Sequence, residues 1–318
     1  MGRSSRFPWA RMKRRAVIDI GTNTCLLLIG ETRASGGYEI VRDEAVITQL
    51  GQGFYAAGEL PPKAMKRTLD AVARFMAICG EERAEEIVVT GTSALRDAEN
   101  GAEFVDTAQE EHGVEVEIIP GEEEARLSYL AVRRDDSLPI PPEALCVVAD
   151  IGGGSTELTV GADRIRQVAS LDVGSVRLTE MFLKNDPPAA SETAALREYL
   201  TEAFEDAPPA NEAEELIGVG GTITTLACIA LRAGGSDRSP HGCALTRRNA
   251  SEQIALFASM PTERRTQIEG LDPKRADVIL AGALIAETVM KRFQSERMIV
   301  SARGLRYGVF LDRFVNPP

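Results

Sequence analysis

The sequence predicts an α/β protein made of two duplicated lobes, each on a mixed sheet, with a cleft between them. Three observations carry that expectation. Ala16-Val-Ile-Asp19-Ile-Gly21-Thr-Asn23-Thr24 recurs as Val147-Val-Ala-Asp150-Ile-Gly152-Gly-Gly154-Ser155, and a glycine, Gly30 or Gly161, follows eleven residues after each aspartate. Glu85-Glu-Ile-Val-Val-Thr-Gly91-Thr92-Ser-Ala-Leu95 is answered by Glu214-Glu-Leu-Ile-Gly-Val-Gly-Gly221-Thr222-Ile-Thr-Thr-Leu226. The repeats keep their order at an offset of roughly 130 residues, and extended segments alternate with helical ones. The division follows: an arm over 1–15, a first lobe over 16–140 and a second over 141–303, with a terminal helix at about 304–316 returning to the first.

The elements can be read in chain order. Ala16 to Ile18 is a buried strand that opens into the first Asp-x-Gly turn, Cys25 to Gly30 is its hairpin return, and Tyr38 to Leu50 extends the sheet. Pro61-Pro62 starts a helix whose Met65, Leu69, Val72, Met76 and Cys79 step by four and three. Ile87 to Val89 is the next strand, and Gly91-Thr92-Ser93 turns it into a helix carrying Arg96. Val114 to Ile119 is stopped by Pro120-Gly121, after which Glu122, Glu123 and Glu124 occupy the first turn of a helix through Val132. Pro139, Pro141 and Pro142 form the hinge.

The plan then repeats from Cys146, with a strand at Gln167 to Leu171, a break at Pro187-Pro188 and helices around Leu196 and Phe204. Leu216 to Val219 leads into a glycine turn, a helix and the polar loop Gly234 to Gly242. Ile279, Ala283, Ala286, Met290 and Phe293 mark one face of a long helix, Met298 to Val300 is the last strand, and Gly304 to Phe314 is the terminal helix.

Composition bounds the class. The chain of 318 residues is 44% apolar and 26% charged, with no apolar run near the ~20 residues of a membrane span. Arg3, Arg6, Arg11, Lys13, Arg14 and Arg15 make the N-terminus basic, but no apolar stretch follows them, so it reads as a flexible arm and not a secretory signal. Cys25, Cys79, Cys146, Cys228 and Cys243 lack CxxC spacing and fit free thiols in a reducing cytoplasm. The net charge of −12 argues against nucleic acid as a partner, while local dipoles still allow a phosphate-rich ligand.

Three glycine turns follow strands, at Asp19 to Thr24, Asp150 to Thr156 and Gly218 to Thr224. Glycine lets backbone N–H groups approach phosphate oxygens, and Ser or Thr hydroxyls add donors. This makes Asn23, Thr24, Gly153, Gly154, Ser155, Gly221 and Thr222 the candidate phosphate ligands, and Ser93, in the Gly91-Thr92-Ser93 turn, joins them. Asp19, Asp150 and Glu157 are the candidate metal carboxylates, because Mg²⁺ takes one or two carboxylates with waters and phosphate oxygens; Mn²⁺ is the alternative ion.

The motif set Asp-Ile-Gly-Thr-Asn-Thr, Gly-Thr-Ser-Ala-Leu-Arg96, Gly121-Glu-Glu-Glu124-Ala-Arg126, Asp150-Ile-Gly-Gly-Gly-Ser-Thr-Glu157-Leu, Gly-Val-Gly-Gly-Thr-Ile-Thr and Gly304-Leu-Arg306 resembles the exopolyphosphatase/guanosine pentaphosphate phosphatase (Ppx/GppA) family of the actin-like ATPase superfamily. The likeness is collinear from about Ala16 to Leu311. It implies RNase H-like lobes, Glu124 as the general base for an attacking water, Arg96 on the phosphoryl oxygens, and Asp150 and Glu157 at the metal. It also implies a homodimer and a substrate that is inorganic polyphosphate or guanosine pentaphosphate. A non-catalytic sensor of polyphosphate or of guanosine tetraphosphate and pentaphosphate is the alternative, and an actin-like kinase is disfavoured by the Glu124 block.

The helix N-terminus, with Arg96 or Arg126 if they converge, is expected to keep Glu124 ionised. One departure from the family pattern is Ser301-Ala-Arg303-Gly-Leu-Arg306-Tyr-Gly308, which loses two acids, gains Arg303 and makes that end more basic. Longer relatives continue into a helical domain, so grip on a long substrate is expected from a dimer or from the loop holding His241 and Arg247-Arg248. His241 and Lys184 stand open between cleft contacts and structural or solvated side chains.

Overall fold

The computed structural model describes residues 13–33, 37–209 and 213–315. Most of the expected arm lies outside them. Its last residues are ordered in the first strand, β1 (Lys13–Ile20), where Arg14 bonds Glu31 at 2.7 Å and Glu82 at 2.6 Å. The strand therefore begins inside the segment expected to be free.

The first sheet has the order β3-β2-β1-β4-β5, with β2 (Thr24–Thr32), β3 (Tyr38–Ile47), β4 (Glu86–Gly91) and β5 (Val116–Ile118). Five helices accompany it: α1 (Phe54–Ala57), α2 (Pro62–Glu81), α3 (Ser93–Asp97), α4 (Gly101–His112) and α5 (Gly121–Arg133). On α2, Met65, Leu69, Val72 and Cys79 are buried in the core that also holds Ile18, Leu27 and Phe75. The stripe is thus the face that packs on the sheet.

The second sheet has the order β10-β11-β9-β6-β7-β8, built from β6 (Cys146–Ile151), β7 (Thr156–Gly161), β8 (Ile165–Leu171), β9 (Glu215–Val219), β10 (Ala244–Thr246) and β11 (Arg297–Val300). Its helices are α6 (Ser175–Phe182), α7 (Ala190–Ala203), α8 (Gly221–Ala233), α9 (Arg247–Ala258), α10 (Thr262–Arg265) and α11 (Ile279–Arg292), followed by α12 (Leu305–Phe310) and a π-helical turn (Leu311–Val315). A single helix, α7, covers Leu196 and ends at its cap Phe204, where two had been expected. The long helix α11 is buried on nearly every side, Leu280, Leu284 and Ile285 included, because it packs against α6, α7, α8 and α9. One marked face understated it.

The two sheets share one topology. β1 pairs antiparallel with β2 and parallel with β4, as β6 does with β7 and β9. The repeated glycines mark the same irregularity in both, since the β2–β3 register shifts between Ile29 and Gly30 and the β7–β8 register between Val160 and Gly161. At Gly30 an added Cβ would meet the Phe310 ring at 2.5 Å. The glycine therefore admits α12, which packs on α5, β1 and β2.

Helix α5 touches both halves. It packs on α12 and also on β6, β7 and β8, and the Thr159 hydroxyl donates to Ala125 O at 3.1 Å. Helices of the two halves also meet: Arg177 of α6 bonds Asp97 of α3 at 2.6 Å, and Tyr55 N of α1 donates to Glu180 of α6 at 3.1 Å. These contacts close the molecule around the cleft.

Candidate active site

Strand pairing delivers the acids. Asp19 and Asp150 lie near the ends of β1 and β6, and Glu157 is the cross-strand partner of Asp150, so their side chains share a face of the sheet. Helix α5 brings Glu124 in its first turn and Ser128 one turn later, on the same side. Ser128 Oγ donates to Asp150 Oδ2 at 2.6 Å, and Ser170 Oγ donates to Glu157 Oε1 at 2.9 Å. Each hydroxyl fixes one carboxylate.

Between the lobes lies a cavity of about 320 Å³. Asp19, Asp150 and Glu124 line it together with Asn23, Thr24, Ser93 and Ser155. So do Gly153, Gly154, Gly221 and Thr222. Arg96 and Glu157 stand behind this wall: Glu157 is 2% exposed, and Arg96 Nη1 lies 3.6 Å from Glu124 Oε2.

The glycine turns also meet one another. An added Cβ at Gly154 would sit 2.2 Å from Tyr55 Oη and 2.3 Å from Ser93 Oγ, and one at Gly153 would lie 3.0 Å from Thr22 Cβ. These glycines therefore permit close approach of the lobes as well as lining the cavity.

The acids are far from ordinary. Burial, with Asp150 adding to it, raises Asp19 to about 7, and burial with Asp150 raises Glu157 to about 8. Asp150 is raised mainly by burial, opposed by the Ser128 hydroxyl. Glu124 is raised well above the carboxylate range by burial first and then by Glu157, Asp150 and Asp19, with Arg96 opposing. The expectation that the helix end and Arg96 hold Glu124 in the ordinary carboxylate range is not met: one guanidinium and a helix end do not offset burial among three acids. Arg126 does not converge on it, being held by Glu123 at 2.7 Å and Asp312 at 2.8 Å.

Asp19 Oδ1 and Glu124 Oε2 are buried without a hydrogen-bond partner among the described residues. Such orphaned oxygens in an acidic cavity fit a divalent cation. Among the described residues no three His, Cys, Asp or Glu side chains are grouped as a protein-only cage. The donor set instead suits Mg²⁺, which completes its shell with waters and phosphate oxygens.

The other candidates fall outside this centre. Arg303 pairs with the buried Asp135 at 2.9 Å, so its gain serves that acid and adds no free positive charge at the cleft. His241 lies 3.3 Å from the same carboxylate and accepts the Ala302 N–H at Nδ1, 3.2 Å away, in a structural clasp beside the cavity. Lys184 Nζ donates back to Glu180 O.

Sequence reasoning missed Arg275, Ser128 and Ser170. Arg275 lines the cavity, donates to Thr24 Oγ1 of the other lobe at 3.1 Å, and forms no ion pair among the described residues. Burial lowers its pKa, and Asp272 opposes that. Nothing local marks a residue that meets its partner 251 positions away. Ser128 did leave a signal, standing four residues after Glu124.

Two sheets of one topology, joined at paired glycine turns over an acidic cavity, define a protein of the actin-like ATPase fold. Within that fold the chain belongs to the Ppx/GppA phosphatase family, whose family model matches residues 29–316. It is 32% identical over 318 residues to exopolyphosphatase 2 of Mycobacterium tuberculosis, covering 95% of this chain and 98% of that protein. The crystal structure of the Aquifex aeolicus family member has 32% identity and a TM-score of 0.79, over 97% of this chain and 100% of that one. An exopolyphosphatase from Cytophaga hutchinsonii has 28% identity and a TM-score of 0.86, over 94% and 96%. Among the described residues no helix is long and apolar enough to cross a membrane.

Proposed function

We propose that the protein is an exopolyphosphatase that releases terminal orthophosphate from inorganic polyphosphate by direct attack of water. One observation carries this reading: Glu124 Oε2 is buried and unbonded at the cavity, beside Arg96. A carboxylate there accepts the proton of a water as its oxygen bonds the terminal phosphorus. The bond from that phosphorus to the bridging oxygen then breaks, and the electron pair leaves on the shortened chain. Glu124 takes this role in its ionised form, and Arg96 beside it opposes the upward push of burial on its pKa.

Arg96 faces the charge that gathers on the equatorial oxygens, and the glycine turns with Asn23, Thr24, Ser155 and Thr222 hold the following phosphates. Arg275 joins them as a cation without a carboxylate partner. Asp150 and Asp19, which line the cavity, would hold Mg²⁺, with Glu157 behind them as the cross-strand partner of Asp150; when bound, the ion would neutralise phosphate charge and that of the acids.

The cavity offers hydroxyls, backbone N–H groups and the guanidinium groups of Arg275 and Arg306, all partners of phosphate, and among the described residues no aromatic side chain lines it for a guanine base to stack on. This favours polyphosphate over guanosine pentaphosphate. The five unpaired cysteines support a reducing, cytoplasmic setting, and a homodimer is carried over from the family resemblance. The test is phosphate release with Mg²⁺ from long polyphosphate, tripolyphosphate and guanosine pentaphosphate. Faster release from either polyphosphate is expected. Release from guanosine pentaphosphate alone, or binding without any release, contradicts the proposal.

A further inference from the structure

Arg265 is one of the largest fully buried side chains, at 2% exposure, and among the described residues it has no ion-pair partner. Its Nε donates to Phe257 O near the end of α9 at 2.8 Å, its Nη1 donates to Ala276 O at 3.3 Å, and its Nη2 is left without a hydrogen bond. Asp186 and Asp277 favour its charge from farther away. Burying a guanidinium on these terms is costly, and an apolar side chain would fill the same space without that cost. What an apolar side chain lacks is the rigid fork of donors that ties two separate backbone carbonyls together.

The second carbonyl belongs to the residue after Arg275. The turn there is short and internally braced, with Asp272 accepting from Lys274 N at 2.9 Å and Arg275 N donating to Asp272 O at 2.9 Å. From this turn the Arg275 guanidinium crosses to Thr24 and lies against the start of α8, where an added Cβ on Gly221 would come within 2.4 Å of it. So narrow a placement requires a fixed turn.

We infer that Arg265 is a positioning residue that pins the 272–276 turn to the end of α9, so that Arg275 presents its charge to the substrate phosphates. The inference rests on the proposed reading of Arg275 as a phosphate ligand. It places a determinant of substrate affinity in α10, outside the cavity.

The test is a double-mutant cycle read by calorimetric binding of tripolyphosphate with Mg²⁺, in the Glu124→Gln background so that turnover does not intrude. Arg275→Ala is expected to weaken binding by about tenfold, the scale of one charge-assisted contact. Arg265→Met is expected to weaken it several-fold alone and to add nothing in the Arg275→Ala background. Thermal melts check the fold, and Arg265→Lys, which keeps the charge and loses the fork, repeats the cycle should the methionine variant not fold. Losses that simply add would overturn the inference and leave Arg275 as a ligand. Unchanged binding in Arg275→Ala would remove the ligand assignment itself, and the inference with it.

Discussion

Arg96 Nη1 stands 3.6 Å from Glu124 Oε2, too far for a hydrogen bond, because the same nitrogen donates to Ile119 O at 2.9 Å. The carbonyl holds the guanidinium beside the acid without letting it cap the oxygen. Glu124 Oε2 is left unbonded, and the Arg96 guanidinium stays within ion-pair range of it.

Arg96 opposes the raised pKa of Glu124 and, in the proposed mechanism, also stabilises the reacting oxygens, so its removal should act twice. Arg96→Ala is expected to lower kcat by about 10²- to 10³-fold and to move the acid limb of the pH–rate profile upwards. A lower rate with an unshifted limb would leave Arg96 as a phosphate contact uncoupled from the base.

The acid cluster makes stability depend on pH in a definite direction. Asp19, at about 7, and Glu157, at about 8, hold protons in the folded protein that the unfolded chain releases near the ordinary carboxylate range of about 4. Their contribution is fully present below that range and is lost as pH rises through the folded values. The melting temperature of chelator-treated protein is therefore expected to fall between about pH 4 and 8, more steeply than that of Asp19→Asn/Glu157→Gln. Mg²⁺ is expected to flatten the slope, since a cation replaces the protons. Equal slopes in all three samples would place the cost elsewhere.

Ser128 holds Asp150 Oδ2 at 2.6 Å from within α5. Ser128→Ala leaves the chain's backbone pattern intact and frees that oxygen. Weaker Mg²⁺ binding, by about five- to tenfold in titration calorimetry, is the expected outcome. Unchanged affinity would make the hydroxyl only a helix-packing contact.

Most of the fold was legible in the sequence because its duplication is written in local signals: a buried strand, a glycine turn and a return, stated twice. Gly30 and Gly161 were visible as a spacing, but their common reason, a register shift in each sheet, needed the strand pairing. At the site, Asp150 and Glu157 could be paired from one hairpin. The charge state of Glu124 could not, because it depends on burial among acids from separate segments. Arg275 and Arg265 were invisible for a related reason: their roles arise from contacts with Thr24 and Ala276 that only the folded chain creates.

The Gly30 bulge gives a stability test remote from the chemistry. Gly30→Ala puts a methyl group 2.5 Å from the Phe310 ring, so the ring must move within its buried site. A loss of about 1–3 kcal/mol is expected in denaturant unfolding, the usual scale of overpacking. The smaller Phe310→Leu in the same chain should recover part of it; no recovery would mean that the strain lies in the strand and not at the helix.

The most direct measurement is phosphate release from polyphosphate by Glu124→Gln beside the wild type, with tripolyphosphate binding measured on both. The substitution keeps the shape of the side chain and removes its capacity to take a proton. Release should fall by about 10²- to 10⁴-fold while binding and melting temperature hold. Turnover retained at the wild-type rate would contradict the assignment of Glu124 as the base.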